Sequence, residues 1–192
     1  LSKVPELIIL KNRTSTEDWV VGATPLPNWG WKLVLNTTVD DTYHPEAFNG
    51  ATPSASFFRL GNADQTNESG STFVAYCFHS VDGYSKVGSF KGQGNADGPF
   101  IYTGFRPAWV FIKKSSASGD DWYQFDNKRE TYNPVDQRLA LNGTQAQGSG
   151  NPIDFLSNGI KIRDSATSFN GNNTTMLYMV FAEEPFKTTN AW

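Results

Sequence analysis

The chain has 192 residues, of which 18% are charged, and its formal net charge is −3. This length suits one ordinary domain or two small ones, and the charge balance lacks the basic footprint of a nucleic-acid-binding protein. No apolar stretch reaches the roughly 18 residues that a membrane-spanning helix requires. We therefore expect neither a nucleic-acid partner nor membrane insertion.

The composition favours an all-β fold. Aromatic residues make up 14% of the chain, with six Trp and fourteen Phe. Apolar runs are short, and turn residues interrupt them at intervals of about eight to twelve positions, as in sandwiches and barrels. We predict an antiparallel β-sandwich. Because the chain has a single Cys and so no intrachain disulfide, its stability must come from apolar burial and backbone pairing.

Four apolar segments occur twice in the same order. They are Pro5–Asn12, Asp18-Trp19, Leu33–Asn36 and Thr72–Phe78 in the first half, and Pro107–Lys114, Asp121-Trp122, Leu139–Asn142 and Thr175–Phe181 in the second. Trp19 and Phe78 are 59 residues apart, and so are Trp122 and Phe181. This self-similarity predicts an internal duplication of a module of about 100 residues. We expect one unit made of repeats 5–82 and 107–187 joined by a strand-like segment 83–106; the alternative is two small sandwiches, 1–98 and 99–192.

The first strand of each repeat is apolar on both faces. Leu7–Leu10 and Trp109–Ile112 show no alternation, which is typical of strands covered on both sides. Each strand is followed by a polar loop that ends in Asp-Trp. Because the motif recurs, we interpret Trp19 and Trp122 as core anchors.

The last strand of each repeat ends in Phe, and we place Phe78 and Phe181 in the core. Cys77 is replaced by Val180 at the equivalent position of the second repeat. A position that accepts either residue is a small apolar packing site. We therefore predict a structural role for Cys77 and not a catalytic thiol.

Trp29 and Trp31 belong to the first half alone. They precede Leu33 and Leu35 at alternate positions, so a strand would place all four side chains on one face. The pair either fills core volume or forms a stacking platform for a sugar or a protein partner.

Segment 37–53 is irregular, and we expect it to cross the surface with Tyr43 and His44 exposed. Together with the tryptophan pair it supplies the candidate ligand-binding residues: Trp29, Trp31, Tyr43 and His44.

The central segment is patterned like a pair of strands and not like a linker. Residues 85–90 and 100–105 read as two strands joined by a Gly-rich loop, so we expect them to be built into the sheets. Further along, Asn158-Gly159 lies between Ile153–Leu156 and Ile160–Arg163 and predicts a hairpin.

Signatures of catalysis are missing from the sequence. His44 and His79 are the only histidines, and no nucleophile elbow, phosphate-binding loop or zinc-spaced His pair occurs. A glycosidase needs two converging carboxylates, whereas Asp40-Asp41 and Asp120-Asp121 are adjacent pairs that would point to opposite faces of a strand. We predict no catalytic residues and no enzymatic activity.

One loop offers oxygen ligands for calcium. Asn62, Asp64, Asn67 and Glu68 are close in sequence, but their spacing lacks the EF-hand pattern. A solvated polar loop is the favoured interpretation, and we expect no metal and no cofactor.

Three strings carry a resemblance to a known family: TFVAYCFHSVDGYSKVGSFKGQGNADGPFIYTGFRPAWVFIK, YNPVDQRL and IDFLSNGIKIR. They resemble a repeat domain of tail-fibre and other virion-associated proteins of tailed bacteriophages, of the marine and cyanobacterial phage type. The resemblance implies an all-β, non-enzymatic part of a virion appendage. It also implies that Tyr84, Phe100 and Phe105 fill the core, and that Gly83, Gly88, Gly98 and Gly104 serve tight turns and close packing.

The leading functional hypothesis is a structural and adhesive virion module that presents loops to a host surface. The alternative is a purely structural virion protein, such as a capsid decoration or a fibre segment; a polysaccharide depolymerase is a weaker alternative. The expected partners are other virion proteins, further copies of the chain in a homo-oligomer, with a trimer implied by the resemblance, and a host-surface glycan or protein. The expected location is the virion.

Overall fold

A computed structural model describes residues 1–185. The strands of this part of the chain are β1 (Leu7–Asn12), β2 (Val20–Ala23), β3 (Trp31–Val34), β4 (Thr42–Tyr43), β5 (Phe73–Phe78), β6 (Ser85–Lys91), β7 (Phe100–Tyr102), β8 (Pro107–Lys114), β9 (Tyr123–Asp126), β10 (Leu139–Ala140), β11 (Ile153–Leu156), β12 (Gly159–Ile162) and β13 (Thr175–Ala182). The helices are single turns: α1 (Pro45–Phe48), α2 (Asp64–Asn67) and α3 (Thr167–Asn170). None of these helices is long and apolar enough to cross a membrane.

The strands form three sheets, and every strand pair is antiparallel. The first sheet has the order β4-β3-β2-β1-β5 and the second has the order β10-β9-β8-β13-β6. A third, smaller sheet has the order β11-β12-β7. The predicted all-β antiparallel fold class is therefore confirmed.

The two five-stranded sheets follow the same path. The strands in or directly after the matching segments are β1 and β8, β2 and β9, β3 and β10, and β5 and β13, and they have the same relative order in the two sheets. The sheets differ at their edges, because β4 extends the first sheet beyond β3 and β6 extends the second beyond β13. This shared order is what a duplication predicts. The duplication itself stays a hypothesis about how the chain arose.

A hydrogen-bonded clasp fixes each Asp-Trp motif. In the second half, the backbone N–H of Trp122 donates to Asn142 Oδ1 at 2.8 Å, and Asn142 Nδ2 donates to Asp121 Oδ1 at 2.7 Å. The first half has the same clasp in Asp18, Trp19 and Asn36, with both distances at 2.8 Å. Asn36 and Asn142 therefore fix the loops that precede β2 and β9 and carry Trp19 and Trp122.

The two clasps differ in burial, and this difference predicts that removing them will lower the free energy of unfolding by unequal amounts. Asn142 is half-buried beside the fully buried Trp122, whereas Asn36 is exposed. We expect Asn142→Ala to lower the free energy of unfolding by about 1–2 kcal/mol, because the backbone N–H of Trp122 loses its acceptor away from water. We expect Asn36→Ala to cost less than about 1 kcal/mol, since water replaces the lost acceptor. Urea denaturation of the two variants measures both values, and equal costs would contradict this interpretation.

The two five-stranded sheets pack face to face and enclose an inter-sheet core. Its buried members are Leu7, Val21, Ala23, Leu26, Leu33, Val87, Phe111, Trp122, Leu177 and Met179. Polar bonds add to this packing: Trp122 Nε1 donates to the carbonyl of Val34 at 3.0 Å, and Lys113 Nζ donates to the carbonyl of Thr38 at 3.2 Å. Side chains of the second half thus bind the backbone of the first.

Each five-stranded sheet also has a covered outer face. The outer core of the first sheet contains Ile8, Leu10, Val20, Trp29, Ala47 and Phe48. A distal core lies between the second sheet and the third, and it includes Val110, Ile112, Phe125, Ile153, Phe155, Ile160 and Phe169. The prediction that the first strand of each repeat is covered on both sides is therefore confirmed.

The central segment forms two strands, as predicted, but they enter different sheets. β6 pairs with β13 in the second sheet, whereas β7 pairs with β12 in the third. The hairpin prediction is also confirmed, because β11 and β12 pair with Ile153 opposite Ile162 and Leu156 opposite Gly159. Its turn consists of Ser157 and Asn158.

Candidate functional site

An apolar cleft opens between the two five-stranded sheets. Its volume is about 320 Å³. The lining side chains are Ile9, Trp19, Val21, Leu35, Tyr76, Phe78, Trp109, Phe111, Trp122, Leu141 and Met179. Nearly all of the lining surface is apolar, and six of these eleven residues are aromatic.

Both halves contribute equivalent positions to the cleft. The matching pairs in the lining are Ile9 with Phe111, Trp19 with Trp122, Leu35 with Leu141, and Tyr76 with Met179. The clasps described above explain why the tryptophans meet here, because each holds its Trp against the inner face of its own sheet. The cleft is thus a product of the sheet-on-sheet packing.

The aromatic rings of the cleft differ in how much surface they leave open. Trp122 is fully buried and meets Phe111 edge to face at 5.5 Å between ring centroids. Trp19 is half-buried and stacks on Tyr76, with centroids 6.4 Å apart and an interplanar angle of 19°. Because Tyr76 is 47% exposed, this stack gives the cleft an aromatic wall in contact with solvent.

Few polar groups lie in the cleft. Trp109 Nε1 donates to Gln124 Oε1 at 3.0 Å, so that indole N–H is already occupied. The clasp carboxylates adjoin the two tryptophans in sequence, and Asp121 Oδ2 also accepts from Gln145 Nε2 at 3.0 Å. The lining residues themselves are all aliphatic or aromatic, so the arrangement suits an occupant that presents an apolar face.

The structure separates the predicted ligand-binding residues. The prediction that Trp29 and Trp31 share a face is wrong, because β3 begins at Trp31 and Trp29 lies in the preceding turn. Trp29 is only 5% exposed and packs edge to face on Phe48 at 5.6 Å in the outer core. It is therefore a core residue and offers no platform.

The other three predicted ligand-binding residues lie together. Trp31 and Tyr43 are paired across β3 and β4, with ring centroids 5.8 Å apart, and Tyr43 is 61% exposed. His44 is half-exposed, with its Nδ1 3.5 Å from Glu46 Oε2. Segment 37–53 is not wholly superficial, because α1 sends Phe48 into the outer core.

The predicted core residues fall into three groups. Trp122 and Phe105 are buried, whereas Trp19, Phe78, Phe181 and Cys77 are half-buried. The predictions for Tyr84 and Phe100 are wrong, since these side chains are 39% and 46% exposed. In β7 the alternation of side chains points Ile101 inward and so leaves Phe100 outside. Tyr84 lies in the turn before β6 and covers the ring of Phe181 from outside, at 5.6 Å.

Cys77 occupies a packing environment. Its side chain is half-buried against the outer core of the first sheet. Burial raises the pKa of the thiol above its ordinary value, with a smaller opposing effect from the N-terminal amino group. A raised pKa disfavours the thiolate that a nucleophile or metal ligand requires.

Three of the acidic residues singled out from the sequence, Glu68, Asp120 and Asp121, serve as local acceptors or ion-pair partners. Asp120 pairs with the ammonium of Lys114. Glu68 accepts hydrogen bonds from Ser71 Oγ at 2.6 Å and Asn12 Nδ2 at 2.8 Å, and these bonds hold the pKa of its carboxyl below the ordinary value. Burial, aided by the charge of Asp40, raises the pKa of Asp41. Within residues 1–185, no group of three His, Cys, Asp or Glu side chains is placed to hold a metal ion.

Sequence reasoning missed the cleft as a site. Tyr76, Trp109 and Leu141 lie in segments that read as strand or strand end, and no local motif marks them as neighbours. The available signal was the predicted repeat itself, because repeated units pack on their neighbours and bury a core between them.

Comparisons with known proteins identify a family but no characterised relative. The sequence model of a domain of unknown function, DUF7483, matches residues 1–185. No curated protein matches the chain significantly, and neither does any solved structure. The resemblance to phage virion proteins therefore stays a prediction.

Proposed function

We propose that this chain, which belongs to the DUF7483 family, is a structural and adhesive module of a phage virion appendage that binds a host-surface glycan without catalysis. Two lines of support lead to this proposal. The first is the resemblance of its central strings to virion repeat domains. The second, which carries the binding role, is the aromatic-walled cleft between the two sheets.

The aromatic wall of the cleft suits the apolar face of a sugar ring. A sugar ring has an apolar C–H face that packs on aromatic rings, and hydroxyl groups at its edge. The stack of Trp19 and Tyr76 supplies the aromatic wall. The carboxylates of Asp18 and Asp121 lie outside this lining and already accept hydrogen bonds from Asn36 and Asn142.

The size of the cleft sets the expected mode of binding. Its volume of about 320 Å³ is near the lower end of the range for small-molecule sites, about 300–1,000 Å³. Such a cleft accepts one terminal or branching unit of a polysaccharide. The two covered sheets keep its walls rigid, which limits the entropy lost on binding.

Leu141→Glu tests this assignment at the mouth of the cleft. Leu141 lines the cleft and is 39% exposed, so a charge is tolerated by the fold but opposes an apolar contact. We expect the wild-type chain to bind on an array of bacterial surface polysaccharides and to block adsorption of the parent phage. We expect Leu141→Glu to weaken both by about tenfold or more, which corresponds to about 1.4 kcal/mol.

Val39→Glu is the matched control, because Val39 is 40% exposed and lies outside the cleft lining. It should bind like the wild type. Equal loss in both variants would point to general charge repulsion and exclude the cleft. An absence of glycan binding and of adsorption blocking by the wild-type chain would leave a scaffold role only.

A further inference from the structure

β5 is an edge strand without the usual protection. It forms one edge of the first sheet, and no strand in residues 1–185 pairs with its outer side. Its sequence, FVAYCF, contains no charged residue, no Pro and no Gly. Soluble proteins usually place such residues in edge strands, or keep those strands short, because an open edge is a template for another chain.

The other edges of the two large sheets are protected. β4 and β10 are two residues long. β6 carries Lys86 and Lys91, and Lys86 Nζ also donates to the carbonyl of Tyr102 at 2.8 Å. The unprotected edge is therefore a specific property of β5.

The phase of the β1–β5 ladder shows which backbone groups face outward. The N–H of Arg13 donates to the carbonyl of Thr72 at 2.8 Å, in register with the pairs of β1 and β5. In an antiparallel ladder such bonds involve every second residue. The residues of β5 whose backbone groups then point away from β1 are Phe73, Ala75 and Cys77.

The second sheet shows how the equivalent backbone groups of β13 are paired. The equivalent residues of β13 are Met176, Tyr178 and Val180. They face β6, which pairs with β13 in the phase set by the bond from Gly92 N to the carbonyl of Thr174 at 2.9 Å. The first sheet therefore has the same set of outward backbone groups as the second, but without the strand that satisfies them.

We propose that β5 pairs antiparallel with β5 of a second copy of this chain, about a two-fold axis, so that two five-stranded first sheets join into one. The register that uses all of the outward groups places Ala75 opposite Ala75 of the second copy. Phe73 then lies opposite Cys77 of the second copy. Such an interface is isologous and closes as a dimer.

The sequence of β5 fits an identical strand as its partner. Because β5 is uncharged, self-pairing brings no like charges together. The same register places Val74 beside Tyr76 of the second copy, and a β-branched residue opposite an aromatic is a favourable cross-strand pair.

Ala75→Pro tests the interface without removing a bond to β1. Its N–H points outward, which is where an edge strand tolerates Pro. Analytical ultracentrifugation of the full chain should show a dimer for the wild type, and the dissociation constant should rise by about tenfold or more in Ala75→Pro, because two inter-copy hydrogen bonds are lost. Ser89→Pro is the matched control on the outer side of β6 and should leave the dimer unchanged.

A cysteine variant tests the register and does not depend on Ala75→Pro folding. Hydrogen-bonded antiparallel pairs have Cα atoms about 5.5 Å apart, within the range for a disulfide. We expect Ala75→Cys in a Cys77→Ser background to form a disulfide-linked dimer on oxidation, and Ser89→Cys in the same background to stay unlinked. A monomeric or trimeric wild-type chain, or the absence of a cross-link through position 75, would overturn the proposal.

Discussion

Trp122→Ala is expected to lower the free energy of unfolding by about 3–5 kcal/mol, the range for truncating a large buried aromatic side chain. Trp122 is fully buried in the inter-sheet core and packs edge to face on Phe111. Its indole N–H also donates to the carbonyl of Val34 in the other sheet. The substitution therefore leaves a cavity and removes a hydrogen bond to the carbonyl of Val34, which keeps the longer bonds from N and Oγ1 of Thr37, both 3.4 Å. Since single domains are stable by about 5–15 kcal/mol, a large part of the total would be lost.

Two further variants show how much the hydrogen bond and the burial of Trp122 each contribute to the free energy of unfolding. Trp122→Phe keeps most of the bulk and removes the donor, so we expect the free energy of unfolding to fall by about 0.5–1.5 kcal/mol, the net value of one hydrogen bond. Trp19→Ala removes the equivalent side chain, which is only half-buried, and should cost less than Trp122→Ala. Guanidinium denaturation followed by tryptophan fluorescence and circular dichroism gives the three values. A Trp19→Ala cost equal to that of Trp122→Ala would contradict the unequal burial of the two tryptophans.

The second large effect is a rise in stability between pH 7.5 and 9.5 that depends on Lys113. This side chain is fully buried between the sheets, and its Nζ donates to the carbonyls of Thr38 at 3.2 Å and Asp120 at 2.6 Å. Burial lowers the pKa of Lys113 from 10.5 to about 8, although the nearby carboxylates of Asp120 and Asp121 oppose this shift.

The direction in which the free energy of unfolding changes with pH follows from proton linkage. Between the native and the ordinary pKa, the unfolded state binds more protons at Lys113 than the folded state does. The free energy of unfolding therefore increases with pH in this window. With a native pKa of about 8, the increase from pH 7.5 to 9.5 is about 2 kcal/mol.

Lys113→Met removes this titration, so the stability difference between wild type and variant should grow in favour of the wild type as the pH rises. Using the difference cancels the opposing titrations of Cys77 and Tyr178, whose pKa values burial raises, that of Tyr178 to about 12. Lys128→Met, at an exposed lysine, is the control and should keep the wild-type slope. Parallel pH profiles for wild type and Lys113→Met, measured by urea denaturation, would show that Lys113 keeps its ordinary pKa.

The strands with the strongest patterns could be predicted from the sequence. β1 and β8 are apolar on both faces, and this property implied layers on either side, which the outer and distal cores provide. The hairpin of β11 and β12 was predicted from a turn motif between two apolar runs. In each case the information was local, because a short segment specified its own pairing or burial.

The placement of aromatic side chains depended on contacts that local pattern does not contain. Trp29 has the spacing of a strand residue, but the turn before β3 directs it to Phe48 on the opposite face. Phe100 is as apolar as its neighbour Ile101, and only the pairing of β7 with β12 decides which of them faces the core. The cleft was missed for the same reason, since its wall is assembled from segments far apart in the chain.

The sheets also have a consequence for synthesis. β1–β5 make up the whole of the first sheet, so its last strand ends at Phe78, whereas the second sheet is complete only after β13 begins at Thr175. At about 5–20 residues per second, the ribosome needs roughly 5–20 s to make the intervening segment. During that time the nascent first sheet exposes the apolar side chains of Leu7, Val21 and Leu33 without their covering layer. Translation speed and the chaperones present at the ribosome are therefore expected to influence the yield of folded protein.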